Sequence, residues 1–100
     1  MTYDVRITDA FNADLDQHLQ WLVDEKVSKF TIDRWFGKVY DQILRLDRMP
    51  HRHPVASIDF DGVGIKARKT NIGDHLIPYV VDEVQKAVDI VAFRRGATRE

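Results

Sequence analysis

The chain contains no cysteine among its 100 residues. That excludes a disulfide framework, a thiolate metal site and a thiol nucleophile, and it fits a reducing cytoplasm. With only 5 glycines and 3 prolines, it has no flexible linker, low-complexity tract or glycine-rich phosphate cradle. No apolar run approaches the ~20 residues that cross a bilayer, and the N-terminus lacks the basic-then-apolar pattern of a secretory signal, so no membrane role is expected. Charge of one sign is also missing. A formal net charge of −1 lacks the basicity of dedicated nucleic-acid binders, and no direct sequence-specific nucleic-acid binding is expected. No serine–histidine–aspartate arrangement, carboxylate pair or His-Glu metal motif stands out, and no cofactor or metal is expected.

What remains is an ordinary globular composition, 44% hydrophobic and 31% charged, sized for one domain over residues 1–100. Tyr3 to Ile7 alternates apolar and polar residues, the period of a half-buried strand. Thr8 and Asp9 offer N-cap oxygens, after which Phe11, Leu15, Leu19 and Leu22 share one helical stripe. His18 falls on that stripe, as expected of a histidine at the rim of a core. Ser28 can cap a second helix with Ile32, Phe36, Val39, Ile43 and Leu46 on its inner face, flanked by Trp35; it should end before Pro50. The short joint at 24–27 predicts an antiparallel helical hairpin. Trp21, Tyr40 and Leu44 lie beside the inner stripes, either covered by a sheet or forming an apolar shelf for a partner.

The remainder reads as a β-meander. Val55–Phe60 suits a short edge strand, and Asn71–Asp74 suits a hairpin turn. Pro78 removes one ladder donor, so its strand should be an edge or carry a bulge there. Val88–Phe93, apolar on both faces apart from Asp89, suits the central strand. Together these elements predict an α+β fold, a helical hairpin packed on a mostly antiparallel sheet.

Chemistry concentrates in one cationic set. Residues 1–65 carry 8 Lys/Arg against 11 Asp/Glu, and residues 66–100 carry 7 against 5. Alternation should turn Ile65 and Ala67 towards the helices and set Lys66 and Arg68 side by side on the opposite face. Lys69, Arg94 and Arg95 add to them, with His75 between. Such a set can hold a phosphate or an acidic protein segment, can stabilise phosphodiester cleavage without a metal, or can be a solvated sheet face. His51 and His53 alone have no third ligand at a metal-binding spacing.

The order of elements resembles the RelE/ParE superfamily of type II toxin–antitoxin toxins over nearly the whole chain. The likeness rests on the aromatic Trp35 and the exit Met49-Pro50, on Tyr79-Val-Val-Asp82, and on Val88-x-Ile90-Val followed by Arg95-Gly96-Ala97. Pro78 stands where the family usually has an apolar residue, and Arg95 where it frequently has histidine. The resemblance implies a cognate antitoxin (ParD-like), a toxin–antitoxin hetero-oligomer, and one of two targets, or else a degenerate toxin that retains only antitoxin binding. A RelE-like mRNA endonuclease would use Lys66, Arg68, His75 and Arg95, but no tyrosine follows Arg95. A ParE-like toxin is not a nuclease and inhibits DNA gyrase by binding. The long helices, the Gly-Ala tail and the slight acidity favour this branch, with Trp21, Tyr40, Leu44, Lys66, Arg68, Arg94 and Arg95 as binding residues.

Overall fold

The computed structural model describes residues 2–53, 55–60 and 65–95, with strand residues 55–60 and 65–66 described by their backbone. The elements are β1 (Asp4–Ile7), α1 (Asp9–Asp24), α2 (Lys29–Leu44), β2 (Val55–Phe60), β3 (Ile65–Ile72), β4 (His75–Asp82), β5 (Ala87–Ile90) and β6 (Arg94–Arg95). Both helices start where capping chemistry placed them. The Thr8 hydroxyl accepts from the Phe11 N–H at 3.2 Å, and the Ser28 hydroxyl accepts from the Thr31 N–H at 3.2 Å. Helix α2 ends at Leu44 and tightens into a 3-10 turn, Arg45–Asp47, before Pro50 opens a second one, Pro50–Arg52.

One sheet runs in the order β1-β5-β4-β3-β2, with β6 pairing β4 beyond the end of β5. All pairings are antiparallel except β1 with β5, which joins the first strand to the chain's far end in parallel. Strand β2 is an edge, as its sequence suggests. The geometric centre is β4 rather than β5, and Val88–Phe93 is not one strand: pairing stops at Ile90 and resumes at Arg94.

Pro78 accounts for that break. Between Tyr79 and Leu76 the chain of β4 advances three residues, while their partners Ile90 and Arg94 are four apart, so one extra residue is accommodated opposite Pro78. The Pro78 carbonyl accepts from the Val91 N–H at 3.1 Å. A strand residue directs its N–H and C=O to the same side, so the donor that proline lacks would have faced this irregular stretch. An interior strand thus tolerates proline because its neighbour is interrupted there.

The core lies between the helices and one sheet face. Phe11 and Leu15 of α1, Val39 and Ile43 of α2, and Leu46 pack with Ile77, Tyr79, Val88, Ile90 and Phe93. Burial of such side chains contributes about 1.5–3 kcal/mol each. Gln42 of α2 donates to the Thr70 hydroxyl at 2.8 Å, which fixes the face of β3 that meets the helices.

This corrects the expected phase of β3. Arg68 pairs with Tyr79, and Thr70 with Ile77, so Arg68 belongs to the helix side and the buried Ala67 to the other. Periodicity could not decide the phase because both faces of the meander carry apolar residues. The side chains of Ile65 and Lys66 lie outside the described residues, as does the Gly96–Glu100 tail.

Candidate functional site

Arg68 of the cationic set lies in one place and His75 and Arg95 in another. Arg68 is turned inward against the segment after α2, where one terminal nitrogen donates to the carbonyls of His53 at 2.6 Å and His51 at 3.1 Å. Beside it the buried Tyr79 hydroxyl donates to the Pro50 carbonyl at 2.5 Å. Burial pushes the Tyr79 phenol up to about 12, so it stays a donor at every physiological pH. Met49, in the left-handed region at φ 49°, turns the chain so that these carbonyls face the sheet. Arg68 and Tyr79 therefore act together as a clamp on that segment. Lys69, opposite Pro78, falls on the other face from Arg68.

His75 and Arg95 form the second place. They are register partners on β4 and β6, and His75 lies four residues from Tyr79, ~13 Å along the strand. The His75 ring stacks on Phe93 with centroids 4.6 Å apart and planes at 16°. It meets His18 edge-on at 4.6 Å, and Trp35 lies 5.7 Å away. His18 also contacts Trp35 at 4.8 Å and stacks on Trp21 at 5.6 Å. The Arg95 guanidinium sits 5.9 Å from the centre of the Trp21 ring. Rings from α1, α2, β4 and the β5–β6 stretch thus converge. Sequence reasoning placed His18 at a core rim but missed the assembly, since its members are remote in the chain; the one local signal was a histidine three residues from Trp21.

An open cleft of ≈ 250 Å³ lies over this assembly, lined by Asp14, Gln17, His18, Trp21, His75, Phe93 and Arg95. Asp14 accepts from the Phe93 N–H at 3.0 Å and lies 3.6 Å from Arg94, so its charge is already engaged. Both imidazoles are held below the ordinary 6.5. Burial is the larger cause for His18, followed by the Arg95 charge. For His75 burial again leads, then His18 and Arg95, opposed by Asp74. Two adjacent neutral imidazoles and a cation thus line the cleft at neutral pH.

Of the three expected apolar contacts, Trp21 joins the cleft and is about half exposed, at 47%. Tyr40 packs against the core, while Leu44 is exposed nine residues beyond Trp35, ~13 Å along α2. The three are therefore not one shelf around the cleft. Phe30 and Val23, near the helix joint, are exposed apolar residues that the sequence reading did not single out. No group of three metal-ligating side chains occurs among the described residues. No described helix is long and apolar enough to cross a membrane.

The family described as "ParE toxin of type II toxin-antitoxin system, parDE" matches residues 5–99. The chain belongs to the ParE toxin family. Its fold is similar to that of a solved chain in the toxin–antitoxin complex RelBE2 from Mycobacterium tuberculosis. That match has a TM-score of 0.61 and 20% identity, and covers 95% of this chain and 99% of that one. At that identity the likeness speaks for the fold alone, the strand, two helices and mostly antiparallel sheet. No curated protein sequence matches the chain.

Proposed function

We propose that the chain is the toxin of a type II pair in the cytoplasm. It acts on DNA gyrase by binding and is neutralised by a cognate ParD-like antitoxin in a hetero-oligomer. The family match across residues 5–99 carries the toxin reading. The choice of target is supported by the division of the cations. Phosphodiester cleavage by basic side chains needs them around one phosphate, because the developing charge is stabilised only by donors already aimed at it. Arg68 is turned to two backbone carbonyls through one terminal nitrogen, ~13 Å along the strand from the level of His75 and Arg95. Recognition of a protein target has no such requirement, and separated charges contribute to it in graded, salt-dependent fashion.

One observation favours a second reading, a RelE-like mRNA endonuclease. His18 and His75 are adjacent beside Arg95, and paired imidazoles can exchange a proton with a reacting group. The substitution pattern separates the two. For a gyrase inhibitor, Arg95→Ala weakens supercoiling inhibition more than Lys66→Ala, and the losses are graded. Ribosome-dependent mRNA cleavage that collapses by orders of magnitude in Arg95→Ala or His75→Ala variants contradicts the gyrase reading.

A further inference from the structure

We propose that the cleft between α1 and β6 is the receptor for a carboxylate side chain of the antitoxin, seated between the Arg95 guanidinium and the imidazoles of His18 and His75. This rests on the toxin–antitoxin reading and deepens it by assigning the ligand chemistry of one pocket and its response to pH.

Arg95 is the cation that lines the cleft, beside two imidazoles that are neutral near pH 7. Among the described residues no carboxylate forms an ion pair with Arg95, and neither imidazole makes a side-chain hydrogen bond. Its nearest acid, Asp14, is held by the Phe93 N–H and by Arg94. Asp74 is the other acid acting on His75, from the β3–β4 turn, and α2 contributes only the uncharged Trp35. The guanidinium rests on the Trp21 ring, which orients it and leaves its donors for a ligand. Trp21 and Phe93 offer apolar surface to the stem of an acidic side chain.

A carboxylate on a protein segment fits better than a nucleic-acid phosphate. Helix α1, which forms one wall, carries Asp9, Asp14, Asp16 and Asp24 and no lysine or arginine. A polyanionic strand would run against that field, whereas one acidic side chain can enter the local cationic spot. The ≈ 250 Å³ volume also suits one side chain.

Proton uptake follows. Both imidazoles sit below 6.5 in the free chain, so they are neutral near pH 7. An adjacent carboxylate favours the charged form and raises their pKa. The complex then holds more protons than the separate partners, and affinity rises as pH falls through that window, by up to about tenfold per pH unit for one linked proton.

The test is a calorimetric titration of the intact chain with its co-encoded antitoxin near pH 7, in buffers of different ionisation enthalpy, with NMR titration of both imidazoles free and bound. The expected result is net proton uptake, upward-shifted titrations of His18 and His75 in the complex, and loss of uptake in the His18→Gln/His75→Gln variant. The NMR arm uses the unmodified chain, so it stands if the variant does not fold. Sodium acetate and a single-stranded RNA oligonucleotide are titrated as probes: the inference expects acetate to raise the imidazole pKa values and RNA to leave them unchanged. A complex that forms without proton uptake and with unmoved imidazoles overturns the inference and leaves the toxin–antitoxin reading standing. Failure to form any complex rejects both. RNA that shifts the imidazoles where acetate and antitoxin do not overturns the choice of ligand.

Discussion

Tyr79 and Arg68 do the same task from adjacent strands, each giving hydrogens to carbonyls of the segment after α2. Removing the Tyr79 hydroxyl leaves the buried Pro50 carbonyl without its donor, so Tyr79→Phe should destabilise by roughly 1–3 kcal/mol in chemical denaturation. A loss well under that scale would mean that the carbonyl finds another donor. The two cleft histidines make a prediction of the opposite chemical kind. Their folded values lie below the unfolded 6.5, so the unfolded chain binds more protons. Their contribution is complete above about pH 6.5 and is lost as pH falls through the folded values. The denaturation midpoint should therefore drop on acidification below pH 6.5, and His75→Gln should flatten that drop. A midpoint that rises on acidification across this range would contradict the burial assigned to the pair. Glu83 lies outside this window. Lys86 first and His51 second hold its carboxyl down to about 2, so its contribution is complete above about pH 4.5 and is lost as pH falls from there towards 2.

At the scale of elements, most boundaries were legible because each has a local physical cause. Thr8 and Ser28 cap the helices, and Gly73 supplies the positive φ of 56° in the β3–β4 hairpin. Pro78 marks the place where β5 gives way to β6. The phase of β3 and the parallel β1–β5 pairing were not legible, since both are set by distant elements. Gly37 and Gly73 test the local account in opposite directions. Neither has atoms within 4 Å of an added Cβ, so only backbone conformation matters. Gly37→Ala on α2 should stabilise by about 0.5–1 kcal/mol. Gly73→Ala, forced into the left-handed region, should cost about 1–2 kcal/mol. Equal effects of the same sign on the thermal midpoint would refute that assignment.

For the whole molecule, the sheet acts as a divider. It holds Arg68 at the carbonyl clamp and carries His75 and Arg95 to the other end of β4, under the rings of both helices. The sequence shows all of these cations, yet their division depends on register and on how the Met49–His53 segment folds back, which no local pattern encodes. That division is the observation that favours the proposed binding role over cleavage. The most direct measurement pairs two assays on the purified, antitoxin-free chain: DNA supercoiling by gyrase, and integrity of mRNA on translating ribosomes. The account predicts inhibited supercoiling or trapped cleaved DNA, with the mRNA intact. Cut ribosome-bound mRNA with gyrase unaffected would contradict it.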